Sequence, residues 1–130
     1  MWLSNRVLLG LILASVACSA VAQLLLKLGM VNAAYARAAD ARDWAGMAAA
    51  ALFNPFVIAG LSLYFAGAVV WLVVLGKADL SYAYPFVGLG FIFSLALGYF
   101  VLHEAVTPQR VVGTLLIALG AVLVAGTAVR

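Results

Sequence analysis

Four polar side chains interrupt the first apolar run of this chain at a constant interval: Ser15, Ser19, Gln23 and Lys27. Residues four apart share one face of a helix, so the set makes a stripe of two hydroxyls, an amide and an ammonium. Such a stripe donates hydrogen bonds and carries one positive charge, which suits an anion or a wet path. It holds no nucleophile beside a base. Much further along, His103-Glu104 offers the counter-charge, Glu104 as a partner for Lys27 and His103 as an interfacial polar residue. No second His or Cys stands at metal-ligand spacing, and no Gly-rich phosphate loop opens a soluble helix. The chemistry expected is recognition, with no enzyme activity, no metal and no cofactor.

The elements that position this stripe follow from composition. Of 130 residues, 68% are hydrophobic and 8% charged, whereas a soluble domain carries about a quarter charged residues. The solvent is therefore lipid. A spanning helix needs ~20 mostly apolar residues, and four segments qualify, near 7–29, 55–76, 80–102 and 108–129. The fold class expected is an all-α integral membrane protein, one four-helix transmembrane domain over 1–130. The first apolar stretch is too long for a cleavable signal core and is read as a span. Cys18 lies within it and reads as a small buried hydrophobe. The net charge of +3 is scattered, so no nucleic acid partner is expected.

Boundary signals support these spans. Asn54-Pro55 and Thr107-Pro108 each read as an N-cap followed by proline at the first helical position. The turns around Lys77-Ala78-Asp79 and from His103 to Val106 are short, which predicts that sequential helices are antiparallel neighbours. The first connection, 30–54, is alanine-rich and carries Tyr35, Arg37, Asp40, Arg42, Asp43 and Trp44. Trp44, Met47 and Ala51 fall on one side of it, so it is expected to form a short helix at the membrane interface. Orientation is not encoded in the charges. Arg6, Lys77 and Arg130 lie on one side, and Arg37, Arg42 and Arg110 on the other with Lys27 near the end of the first span. That balance gives the positive-inside rule almost no bias.

Polar groups at membrane depth are costly and mark functional sites. Ser19 lies near the middle of the first helix, Gln23 ~6 Å further along it and Lys27 another ~6 Å on. Lys27 either snorkels to the interface or completes the stripe. Gln23 either bridges helices or faces a cavity, and the shared face favours the cavity. The first and third spans run in the same direction, so Lys27 and Glu104 meet at one membrane surface. The third span opens SYAYPFVGLGF. Pro85 removes a backbone bond, and with Gly88 and Gly90 it suggests a bendable, hinge-like stretch. Tyr82 and Tyr84 either line the substrate path or belong to an interfacial aromatic belt. The second span adds Tyr64 and Trp71, and its Gly60 and Gly67 permit close packing. Gly113 and Gly120 mark the fourth span as a packing or dimerisation helix.

Taken in order, AQLLLK, SYAYPFVGLGF and LHEAVTPQRVVGTLLIALGAVLV resemble the four-helix members of the drug/metabolite transporter superfamily. The resemblance covers nearly the whole chain except the alanine-rich insert. Two branches are similar. Small multidrug exporters carry a glutamate in the first helix eight residues before a lysine, where this chain has Ser19, and an aromatic where this chain has Pro85. The small subunits of the aminoarabinose–undecaprenyl phosphate flippase, with related short EamA-type proteins, resemble it in the spacing of Gln23 and Lys27. They are also similar in Ala83-Tyr84-Pro85 and in His103-Glu104 followed by Thr107-Pro108.

That branch implies a multi-pass protein of the bacterial inner membrane, surrounded by membrane lipid. It implies a transporter or flippase subunit that moves a lipid-linked sugar phosphate or similar amphiphile. Substrate contacts are then expected from Ser19, Gln23, Lys27, Tyr64, Trp71, Tyr82, Tyr84 and Glu104, with an anionic lipid-linked substrate. A second four-helix subunit, in a homodimer or heterodimer, is expected to complete the path. The alternative is a proton-coupled exporter of small cationic or hydrophobic compounds, for which Glu104 is the only candidate acid. A third reading is a membrane scaffold that transports nothing.

Overall fold

The computed structural model describes residues 4–127, all of whose regular elements are helical. Helix α1 (Asn5–Met30) is followed by two short helices, α2 (Ala33–Asp40) and α3 (Trp44–Leu52), and then by α4 (Pro55–Leu75). The third span is composite. It runs as α5 (Leu80–Ala83), a 3-10 segment (Tyr84–Gly88) and α6 (Leu89–Phe100), and α7 (Pro108–Ala125) closes the fold. Four stretches are long and apolar enough to cross a membrane: Asn5–Met30, Pro55–Leu75, Leu80–Phe100 and Pro108–Ala125. The fold is therefore an all-helical, multi-pass membrane protein. The expected helix end at Val129, and Arg130 of the charge balance, lie outside the described residues.

Local chemistry sets the helix starts. Asn54 Oδ1 accepts from the Phe56 and Val57 amides ahead of Pro55, and Thr107 Oγ1 accepts from the Arg110 amide ahead of Pro108. Each cap satisfies donors that the first turn leaves free. The 30–54 insert differs from the single short helix expected. Arg42 adopts a positive φ of 54°, the chain reverses there, and Asp43 caps a second helix through the Gly46 amide. Trp44 remains 77% exposed, as an interfacial indole should.

Packing corrects the expectation that every sequential pair of spans lies side by side. Helix α1 is the hub, packed along α4 on one flank and against α6 on another. Helix α7 packs on α6 and the 3-10 segment, while α4 meets α5 only near the turn between them. The middles of α4 and α6 are thus held apart. The reason lies in residue size: α4 turns its glycines toward α1. A Cβ on Gly60 would lie 2.9 Å from Leu26 Cγ and 3.1 Å from the Ala22 carbonyl oxygen, and one on Gly67 would lie 3.3 Å from Cys18 Cβ. Small residues let two backbones approach where lipid offers no hydrophobic drive.

Ser15 adds a polar fastener to that seam, its buried hydroxyl donating to the Gly67 carbonyl at 2.9 Å. Bonds of this kind in membranes average roughly 0.6 kcal/mol. Ser15→Ala is accordingly expected to lower the thermal unfolding midpoint in detergent by only a few degrees. A large loss would mean that Ser15 does more than fasten.

The buried core lies toward the end of the bundle where α1 begins. Leu8, Ile12, Val16, Val74, Ala83 and Phe86 form one cluster there, with Trp71, Tyr82 and Leu89 packed against it. Most other large apolar side chains, especially on α4 and α7, face outward, which costs nothing when the surroundings are hydrocarbon. One end of the bundle is therefore a sealed apolar plug, and the other is open.

Candidate functional site

The gap between α4 and α6 is a cavity of about 330 Å³, floored by α1. From α1 it receives Ser15, Ser19 and Gln23; α4 contributes Tyr64 and Trp71; the third span contributes Tyr84, Phe91 and Ser94. A second depression, of about 170 Å³, continues toward the membrane surface and is lined by Gln23, Lys27, Ser94, Gly98 and Glu104 among others. Ala20, Gln23 and Ser94 border both. The two spaces therefore form one seam, from mid-depth at Ser15 to the charged end of α1. Tyr64, Tyr84 and Phe91 at its flank are exposed, so it opens sideways to lipid.

The polar groups along this seam differ in how they are engaged. Ser15 is consumed by Gly67, and the Ser19 hydroxyl donates back to the Ser15 carbonyl at 3.0 Å. Such a bond to the preceding turn leaves the Ser19 oxygen free to accept from a ligand. Gln23 is exposed and makes no hydrogen bond to any described residue. Its amide faces the cavity rather than bridging helices.

Lys27 Nζ stands 3.9 Å from Glu104 Oε1, with the side chains 55% and 43% exposed. That is an ion pair, yet longer than the roughly 2.7–2.9 Å of a charge-assisted hydrogen bond. Two features deliver the carboxylate to this point. His103 adopts a positive φ of 53°, a conformation in which histidine is enriched, and the Glu104 amide donates to the Gly98 carbonyl at 2.9 Å. The chain thereby folds back over the end of α6. A Cβ on Gly98 would lie 3.0 Å from Glu104 Oε2, so the glycine provides the carboxylate's berth.

Of the residues picked out by sequence, Ser19, Gln23, Tyr64, Trp71 and Tyr84 border the central cavity, and Lys27 and Glu104 border its outer continuation. Tyr82 does not belong with them. It packs on the core and against Phe86, ring centroids 5.4 Å apart. Residues two apart on a helix point about 200° apart, so Tyr82 and Tyr84 cannot both face one cavity. Gly90 lines the cavity beside Val16, whereas Gly88 faces α7, where a Cβ would lie 2.6 Å from Ile117 Cγ2. The hinge expected from Pro85, Gly88 and Gly90 takes the form of a tightened 3-10 turn. Gly113 and Gly120 meet nothing within 4 Å of a would-be Cβ, so within this chain they pack against no neighbour. Ser94 and Phe91 were missed. Ser94, four residues after Gly90, was legible by the test applied to the first span, a hydroxyl at membrane depth. Among the described residues no group of three metal-binding side chains occurs.

No protein-family model matches the chain, and no solved structure matches it significantly. Two curated relatives do. One, from Pseudomonas savastanoi pv. phaseolicola (strain 1448A / Race 6), is named a probable 4-amino-4-deoxy-L-arabinose-phosphoundecaprenol flippase subunit ArnE. It is 43% identical over 54 residues, which is 42% of this chain and 47% of the relative. Its namesake from Enterobacter sp. (strain 638) is 40% identical over 70 residues, 52% of this chain and 65% of the relative. The chain thus spans between about half and two-thirds of the length of the curated relatives it matches. The resemblance to small flippase subunits holds in both comparisons.

Proposed function

We propose that this chain, similar over half its length to flippase subunits of that name, is itself a flippase subunit of the bacterial inner membrane that moves a lipid-linked sugar phosphate. The observation that carries the reading is the continuous seam between α4 and α6, open sideways to lipid and ending at Lys27. A polyprenyl tail stays in the bilayer while the headgroup travels along Ser19, Gln23 and Ser94. Lys27 supplies the positive charge that an anionic phosphate needs, and the hydroxyls and amide replace water around the sugar. Tyr64, Trp71, Tyr84 and Phe91 give the sugar amphipathic ring surfaces. The apolar plug around Ile12, Val74 and Phe86 must part for the headgroup to leave on the far side. Because the lateral opening is unpaired within one chain, a second four-helix subunit seated there completes the path. The proton-coupled exporter has less support, since Glu104 lies at a span end and no carboxylate borders the central cavity.

The test is translocation of a polyprenyl phosphate sugar across liposomes that contain the protein, alone and with a similar four-helix subunit. Gln23→Ala is expected to slow translocation by at least about tenfold, the size of one or two lost hydrogen bonds. Because Gln23 bonds to nothing in the chain, its membrane level and unfolding midpoint should not change. Wild-type rates in Gln23→Ala, or no translocation by the wild type with either composition, would overturn the reading.

A further inference from the structure

The seam's outer end holds two opposite charges, and a phosphate alone explains only one of them. Lys27 and Glu104 border the same depression, face each other at 3.9 Å, and are both about half exposed. A carboxylate beside the only cation on an anion path lowers that path's attraction for phosphate. Glu104 is nevertheless built into position, by the reversal at His103, by its amide bond to the Gly98 carbonyl and by the space Gly98 leaves. A loose, exposed ion pair adds little to stability, so fastening α1 to α6 is a weak reason for that construction.

We propose that Lys27 and Glu104 together read a zwitterionic headgroup, Lys27 taking its phosphate and Glu104 a primary ammonium a few ångströms away. The assignment rests on the flippase reading above and adds to it a residue that sets specificity. When the headgroup enters, the pair separates. Each charge then exchanges its present partner for an opposite charge on the ligand, so neither is left bare in a poorly hydrated place. A headgroup with phosphate but no amine leaves Glu104 uncompensated and next to a like charge, which is how the site rejects it. Two lipid sources present this chemistry, a polyprenyl phosphate bearing an amino sugar and the bilayer's own phosphatidylethanolamine.

The experiment measures binding of the intact protein, in nanodiscs of phosphatidylglycerol, to a polyprenyl phosphate amino sugar and to its hydroxyl counterpart. Phosphatidylethanolamine serves as competitor. The wild type is expected to prefer the amino headgroup by at least about tenfold, one charge-assisted bond, and Glu104→Gln to bind both equally. The double exchange Lys27→Glu/Glu104→Lys restores an ion pair but presents its charges in reverse, and is expected to bind neither. Competition by phosphatidylethanolamine, lost in Glu104→Gln, would assign the same site to the bilayer lipid, whereas its absence assigns it to the amino sugar. Equal wild-type binding of the two headgroups, a preference that survives Glu104→Gln, or full binding by the exchanged pair would overturn this inference and leave the flippase reading standing. Failure of the wild type to bind any polyprenyl phosphate would remove both.

Discussion

Lys27→Ala is expected to slow headgroup translocation by roughly a hundredfold, the upper range for a hydrogen bond to a charged group. The protein should remain folded and in the membrane. The side chain is 55% exposed, and its partner Glu104 lies at the limit of ion-pair distance, so little stability is lost with it. Lys27 is the only cation bordering either part of the seam, and nothing nearby can take over its charge. Lys27→Arg separates charge from shape. It should recover most of the rate if an anion is held electrostatically, and little if the compact ammonium is needed. Alanine and wild type moving the headgroup at equal rates would show that Lys27 merely snorkels.

The largest effect on stability is expected from Gly29→Leu. A Cβ there would lie 2.5 Å from Val57 Cγ2, 2.9 Å from the Val57 amide nitrogen and 3.0 Å from Asn54 Oδ1. Two of these atoms belong to the start of α4, where Asn54 caps the first turn. The substitution therefore pushes α4 away from α1 and breaks its cap. Overpacking costs about 1–3 kcal/mol and loss of a cap about 1 kcal/mol, so the unfolding midpoint should fall by roughly 10 °C or more. Gly120→Leu is the control, since a Cβ on Gly120 meets nothing within 4 Å. It should leave the midpoint of the single chain unchanged. An unchanged midpoint in Gly29→Leu would mean that α1 and α4 pack less closely than described.

These two sites show how far the sequence could be read. The spans are legible because composition and length decide them, and the α4 and α7 starts because Asn54-Pro55 and Thr107-Pro108 are local signals. The meeting of Lys27 and Glu104 follows from counting spans, since two helices of like direction end on one surface. The neighbours of α4 do not follow. Gly60 and Gly67 signal a close approach, but not that α1 alone receives it and leaves α6 across a gap. Tyr82 was misplaced and Ser94 overlooked for one shared reason. Both depend on the rotational phase of the third span, and a uniform helix predicts the wrong phase once part of it tightens. The split of the insert at Arg42 is equally hidden, because arginine gives no local sign of a left-handed conformation.

That tightening makes Pro85 a device for aim. From Tyr84 to Gly88 the chain winds as a 3-10 helix, with 3.0 residues per turn in place of 3.6. Each of the five residues thus adds about 20° of rotation, together about 100°, or one residue position of an α-helix. Everything after Gly88 is turned by that amount relative to Tyr82 and Ala83. The rotation brings Phe91 and Ser94 round to face α1 while Ala83 and Phe86 stay in the plug. One short segment thereby lets a single span present a sealed wall at one membrane surface and an open, hydroxyl-bearing wall at the other.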